Sequence, residues 1–405
     1  MKRTFFLMLV LAVAAHSAWA SVELTSARIY KKQGELAKAA EFYDLAITKE
    51  PDNLEARAER GELLGMVAMD AAQMGLRKRL SGDAENPQHV LLDRMMQDYT
   101  AVKQAGDDKK IKKLLKALDG QVQEYWWEFY SKALSQDTTY KGMMARESME
   151  NAETVIGVGL QNAELAMLLM PGDWSSHFVY AELIGFKGKD DAYVAAWQDA
   201  LNMLENSSLR TEKPEDYENN RRYARLQLIQ HSYATENHAQ TIQLADQLLA
   251  DEPSNVEAVQ YKAFSLATLA NDETRPPAER DSLKRVALNA LSDARTTNPL
   301  DENIIYYIGQ FNLQLADTAA ALAAFDEFLG KAPTDRDVLF MQGLIYLEGE
   351  KFGDLNKAAD KFGAITKAFP EDGAAWTNYG IALLRQGKTD EGKEAMKKGE
   401  TFSGN

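Results

Sequence analysis

Apolar and polar positions alternate with the period of a helix through most of this chain, and the same short succession of residue types returns along it. Leu339, Gly343 and Tyr346 are followed by Ala358, Phe362 and Pro370. Ile305, Ile308 and Gly309 are followed by Ala321, Phe325 and Pro333, and Val259, Ala263 and Leu266 by Ala287, Leu291 and Pro299. Ala27 and Tyr30, then Ala39, Tyr43 and Pro51, repeat it near the start; Trp376, Tyr379, Gly380 and Leu383, then Gly392 and Met396, repeat it at the end. Large apolar residues three and four apart give each segment one buried stripe. Sustained period-two runs of Val, Ile or Thr are missing, so strands are not expected.

Each unit therefore predicts two antiparallel amphipathic helices. The small residue of the first helix (Gly343, Gly309, Ala263, Ala27) lets the two backbones approach closely. The proline cannot continue a helix and stops the second one. The polar turns "KEPDN" (49–53), "DEPSN" (251–255) and "TNPLDEN" (297–303) offer Asp and Asn side chains to cap the next helix.

The spacing resembles the tetratricopeptide repeat, W-x2-L-G-x2-Y, then A-x3-F, then P over 34 residues. Pro299 to Pro333 is one such period, Pro333 to Pro370 is 37 residues, and Pro253 to Pro299 is 46, with "NDETRPPAERDS" (271–282) lengthening the turn. The resemblance is strong over 256–404 and 22–64 and weaker between, where "HFVYAELIGFKGKDDAYVAAWQDAL" (177–201) still matches. It implies an all-α fold, a right-handed α-solenoid of stacked antiparallel helix pairs, irregular in its N-terminal half. The expected organisation is a signal peptide at 1–20, a first repeat-like unit at 21–64, irregular helices at 65–172, divergent units at 173–255 and C-terminal repeats at 256–405. Breaks are expected near "SGDAENP" (81–87), "AGDD" (105–108) and "DG" (119–120).

Composition adds an address. Lys2 and Arg3, the apolar stretch "FFLMLVLAVAA" (5–15) and "AWA" (18–20) read as a cleavable secretory signal, too short to span a bilayer. The mature chain, beginning near Ser21, is then expected in the periplasm or outside the cell. With no cysteine in 405 residues, disulfides, thiolate metal sites, cysteine nucleophiles and lipoprotein anchoring are all excluded. Removing Lys2 and Arg3 leaves 44 basic against 61 acidic side chains, a net charge near −17 that repels nucleic acid and anionic lipid. The length exceeds the ~250–300 residues of a single core, as a repeat array requires.

Candidate chemistry is sparse. His89, His177, His231 and His238 carry no metal-binding spacing, "GVG" (157–159) follows a helical segment rather than a strand, and no nucleophile motif occurs. Neither a cofactor nor an enzymatic activity is expected. "KKIKKLLKAL" (109–118) is read as an exposed lysine face over buried Ile111, Leu114, Leu115 and Leu118, with docking to an anionic surface as the alternative.

The resemblance implies a binding groove lined by the first helix of each pair. The residues that would face it are Gln260, Phe264, Tyr306, Gln310, Phe340, Leu344, Leu347, Thr377 and Ile381, flanked by Tyr261, Tyr307, Met341 and Asn378. This lining is aromatic and amide-rich, suited to an extended peptide or partner helix; the alternative is packing between neighbouring repeats. The expected function is a non-enzymatic exported scaffold for a protein or peptide, in envelope assembly or secretion. A binder of small apolar solutes, accessory to a transporter, is the competing reading, motivated by the Met-rich segments 65–74 and 142–149.

One cluster stands apart: five aromatics fall among the six residues Tyr125 to Tyr130. At about 100° per residue, Val122, Tyr125, Trp126, Phe129 and Ala133 share one face and form a packing stripe. Trp127 points away from it. It is either buried against a second neighbour or a further contact for a partner.

Overall fold

The computed structural model describes residues 21–299 and 301–403, so the expected signal peptide at 1–20 lies outside the described residues. The described chain is all-α, and by contacts it divides into two compact units, Met1–Arg221 and Arg222–Asn405.

The N-terminal unit opens with the pair α1 (Val22–Lys32) and α2 (Leu36–Lys49), followed by α3 (Leu54–Met69). Ser21 Oγ accepts from Leu24 N and caps α1, and Ala27 and Tyr43 are fully buried between the paired helices. The Tyr43 hydroxyl donates to Glu59 at 3.0 Å; burial, then the neighbouring Glu59 carboxylate, push it well above the ordinary phenol range. After a short turn, α4 (Met74–Leu80), α5 (Pro87–Gln104), α6 (Lys109–Ala145) and α7 (Ala152–Leu169) form the irregular part. There α5 packs on α3, and α7 on α6. The pair α8 (Trp174–Lys187) and α9 (Asp191–Glu205) and the short α10 (Leu209–Glu212) complete the unit.

The expected breaks at 81–87 and 105–108 are present, but "DG" (119–120) breaks nothing. α6 runs through it for 37 residues. Gly120 is exposed, and its propensity cost of about 1 kcal/mol falls on a helix whose stripe buries Ile111, Leu115, Leu118, Val122, Tyr125 and Phe129. The lysines of 109–118 lie on the exposed side of that stripe.

The core of the irregular part contains a charge. Asp98 is fully buried on α5 and accepts from Arg60 Nε and Nη2, both at 2.7 Å, with Arg57 at 3.5 Å. Burial pushes the Asp98 carboxyl up, and the two guanidinium groups act against that. Arg60 also reaches Asp44 at 2.6 Å, which Arg94 meets at 2.9 Å, so α2, α3 and α5 are tied by one network.

Helix α11 (Pro214–Ala234) leads into the C-terminal unit, where it pairs with α12 (His238–Asp251). The further pairs are α13 (Val256–Asn271) with α14 (Pro277–Thr297), α15 (Glu302–Gln314) with α16 (Thr318–Lys331), α17 (Arg336–Glu348) with α18 (Leu355–Ala368), and α19 (Gly373–Arg385) with α20 (Thr389–Ser403). The long 46-residue period is absorbed by helix as well as turn: five residues connect α13 to α14, which begins on Pro277 and runs for 21 residues.

The repeated residues do what their spacing predicts. A Cβ on Gly309 would lie 2.5 Å from the Phe325 ring, and one on Gly343 would lie 2.7 Å from Phe362. A side chain at either position would displace the partner ring, so glycine is what permits the close approach. Asn255, Asp301, Asp335 and Asp372 each cap the following helix, accepting from the backbone N–H three residues on at 2.9 to 3.1 Å.

Candidate functional site

Aromatic side chains recur on the first helices of the C-terminal unit because the repeat places a residue of each such helix outside its own pair. Phe264 of α13 meets Tyr307 of α15 edge-on at 5.1 Å and Phe311 at 5.7 Å. Tyr306 and Tyr307 are neighbours at 5.5 Å, and Tyr306 leans on Phe328 at 5.7 Å. The Gln310 amide donates to the Tyr306 hydroxyl at 2.6 Å. One step earlier, Tyr261 stands 5.2 Å from Tyr233 of α11. The result is an aromatic band, Tyr233–Tyr261 and Phe264–Tyr307–Tyr306, with Gln260 and Gln310 as its amides.

Of the nine residues named from the sequence, eight are half-buried and Leu347 is buried in the core. The structure brings Gln260, Phe264, Tyr306 and Gln310 together on this band. Phe340 sits edge-on against Phe362 at 5.4 Å, within its own helix pair, with the Arg336 guanidinium over its outer face at 5.2 Å. Leu344 borders a hollow of about 590 Å3 with Ala316, Thr318, Ile345 and Phe352. Thr377 turns inward: its hydroxyl donates to the Gly373 carbonyl at 2.8 Å and lies against Gly399 of α20. Ile381 packs at the edge of the core formed by α15 to α20. Tyr233 escaped the sequence reading because α11 departs from the repeat pattern; pairing α11 with α12 across the "ATEN" turn would have found it.

The band is neutral with an acidic margin. Burial raises Tyr306 above the ordinary phenol range, and Asp337 and Asp335 add to this. Burial raises Tyr261, followed by Glu257. Burial raises Tyr307 as well, while the Gln260 side chain bonds its hydroxyl and acts in the opposite sense. The nearest cations are engaged: Arg336 with Asp337 and Asp372, and Lys262 with Asp246 at 2.6 Å. Such a face can hold apolar side chains against rings and bond a peptide backbone through its amides and phenols.

In the N-terminal unit the aromatic cluster divides. Tyr125 and Phe129 are buried; Trp126 stacks on Tyr130 at 5.3 Å and donates its indole N–H to Ser176 Oγ at 2.9 Å. Trp127 is 60% exposed, so burial against a second neighbour does not occur. The same unit has a cavity of about 650 Å3 lined on one side by Met96, Leu169, Met170 and Trp174 and on the other by polar residues that include Lys103, Asp119 and Glu212. At its edge the Tyr99 hydroxyl donates to Asp119 at 2.8 Å and is pushed up to about 12 by burial and that carboxylate. His177 is buried between Asp199 and the Pro171 carbonyl. Among the described residues no three His, Asp or Glu side chains are grouped as a metal would require, and no helix is long and apolar enough to cross a membrane.

Two tetratricopeptide repeat family models match the chain, one over residues 340–398 and one over 24–53. A comparison with curated proteins yields no match. Among solved structures the chain is similar to YrrB, described as a TPR protein with an unusual peptide-binding site, at 13% identity over 52% of this chain and 94% of that one, TM-score 0.37. It is similar to TTC0263, a thermophilic TPR protein of Thermus thermophilus, at 18% identity over 48% and 93%, TM-score 0.35. It is also similar to human IFIT1, solved with m7Gppp-AAAA, at 12% identity over 96% and 91%, TM-score 0.39. The two family matches, with the helix pairs and the glycine and proline positions described above, identify the chain as a tetratricopeptide repeat protein.

Proposed function

We propose that this protein is an exported, non-enzymatic scaffold that holds a protein or extended peptide against the aromatic band of its C-terminal repeats. The observation that carries this reading is the Phe264–Tyr307–Tyr306 contact, three rings from two successive first helices kept half-exposed beside Gln260 and Gln310. Rings left half-exposed at van der Waals distance from one another offer apolar area at little entropic cost, and the amides bond a backbone. The acidic margin of Glu257, Asp335 and Asp337 favours a segment carrying Lys or Arg beside its apolar residues. No basic clamp for a terminal carboxylate is present in the band, so recognition is of an internal segment. The signal-like sequence of residues 1–20 supports the export in this reading, with the partner then met in the periplasm or outside the cell.

The test is crosslinking from the band. A photoreactive residue at Gln260 captures a partner from the envelope fraction, and Phe264→Ala with Tyr306→Ala abolishes capture while the helical content is unchanged. An undiminished capture by the double variant overturns the reading. The cavity beside Tyr99 supports a second one, a small solute with an apolar part against Met96, Leu169 and Trp174, bound in the N-terminal unit. Native mass spectrometry of the protein taken from its own compartment separates the two, since only the second leaves a small molecule on the intact chain.

A further inference from the structure

Helix α6 buries one face and leaves another bare. Along the bare face Trp127, Ser131, Leu134, Thr138, Gly142 and Arg146 succeed one another at intervals of three or four residues. A shallow hollow of about 900 Å3 follows them. Trp127 is 60% exposed and Leu134 41%, two large apolar side chains on one helix face beside one hollow. Three of the hydroxyls beside them are already satisfied within the helix. Ser131 donates to the Trp127 carbonyl at 2.6 Å, Thr138 to Leu134 at 3.0 Å and Thr139 to Ser135 at 2.7 Å. Covering this face therefore asks a new partner of the Ser135 hydroxyl and of none of these three.

We infer that this face pairs with the same face of a second copy of the chain, as an antiparallel helix pair about a two-fold axis between Gln136 and Asp137. The register follows from the residues. Trp127 then meets Arg146 of the second copy, Ser131 meets Gly142, Leu134 meets Thr139, and Ser135 meets Thr138. Every bulky or charged side chain faces a smaller or complementary one, and each contact occurs twice, as a two-fold interface demands. Ser, Thr and Gly at the centre let the helix axes approach. Charge points to the same orientation: Glu124 flanks Trp127 at one end of the face, beside Glu128, which Lys132 already holds at 2.6 Å, and Arg146 stands at the other. Antiparallel pairing sets Arg146 over the Trp127 ring between those carboxylates, whereas parallel pairing sets like charges against each other. Among the described residues Arg146 bonds its own helix alone, at the Gly142 carbonyl. The seam is about 29 Å long, the length of a small interface.

Sedimentation of the mature chain from about 1 to about 200 µM tests this, a range that brackets a small interface. The expected result is a monomer–dimer equilibrium that Trp127→Glu abolishes, with an unchanged circular dichroism spectrum because that side chain is exposed. Arg146→Glu weakens the dimer by about tenfold, since symmetry removes two pairs at once, and adding Glu124→Arg restores it. The chain has no cysteine, so Ser135→Cys, next to the axis, gives a disulfide-linked dimer on mild oxidation. A monomer at the highest concentration overturns the proposal, and so does a dimer indifferent to Trp127→Glu. A dimer that the charge exchange fails to restore overturns the register.

Discussion

Arg336 of α17 donates through Nε to Asp372 Oδ2 at 2.7 Å, while the other oxygen of the same carboxylate caps α19 by accepting from Ala375 N at 2.9 Å. One side chain thus closes the first turn of a helix and ties it to the first helix of the preceding pair. Asp372→Ala removes both at once. The cap alone is worth about 1 kcal/mol and the charged bond adds to it. The expected loss is about 1 to 2 kcal/mol, measured as a lower denaturation midpoint with unchanged slope. Arg336→Ala loses less, because the cap survives.

The same carboxylate gives a pH dependence. Burial pushes Asp372 up, but Arg336 and the backbone N–H groups of Ala375 and Ala374 outweigh it and hold the carboxyl below its ordinary 3.8. The unfolded chain then takes up this proton first. The contribution is present in full above that ordinary value and is lost as the pH falls through the lower, folded one. Melting temperature against pH should therefore decline less steeply on acidification in Asp372→Asn than in the parent chain. Equal declines would refute the assignment.

Gly309 and Gly343 sit under the rings of Phe325 and Phe362 at distances no real Cβ tolerates. Gly309→Ala is expected to cost about 1 to 3 kcal/mol by overpacking, despite alanine's better helix propensity. Gly120→Ala, where a Cβ meets open space, is expected to stabilise by about 0.5 to 1 kcal/mol. Thermal unfolding of the two variants should move in opposite directions.

These glycines mark how far the sequence can be read. A small residue in the first helix, then in the second an alanine, an aromatic or aliphatic residue four after it and a proline eight beyond, specify a pair almost completely, because backbone approach and helix termination are local demands. Helix type was therefore legible wherever that spacing held. Asp119–Gly120 misled because whether a glycine ends a helix depends on what its neighbours bury, and Leu118 and Val122 are both buried. Thr377 shows the limit for the site. Its position in the repeat matches a groove residue, yet its small side chain turns into the notch left by Gly399. The buried Asp98 had no local signal, since its partners Arg57 and Arg60 lie on another helix.

Removing that carboxylate is the severe substitution in the N-terminal unit. Asp98→Ala leaves Arg60, 14% exposed, without its buried acceptor, and breaking a buried pair from one side costs about 3 to 5 kcal/mol. Asp44→Ala takes a half-exposed partner from the same guanidinium and should cost about 1 kcal/mol or less. Equal destabilisation of the two in urea would show that the network, and not burial of Asp98, sets the cost.

Trp126 and Trp127 are adjacent in sequence and opposite in consequence. Trp126 stacks on Tyr130 and bonds Ser176, joining α6 to α8. Trp126→Ala loses ring burial, the stack and an indole bond, and leaves Ser176 buried without that donor, about 3 kcal/mol or more in all. Trp126→Phe keeps the stack and should recover more than half of this. Trp127 touches the rings of Trp126 and Tyr130 at 6.0 Å with most of its surface in water. Trp127→Ala should stay within about 0.5 kcal/mol of the parent in dilute solution. If Trp127 is an association residue, that small difference grows with protein concentration, because only the parent gains stability by mass action. Melting the two proteins at low and high concentration therefore separates a solvent-exposed ring from one held out for a partner: a concentration-independent gap speaks for the first, a widening one for the second.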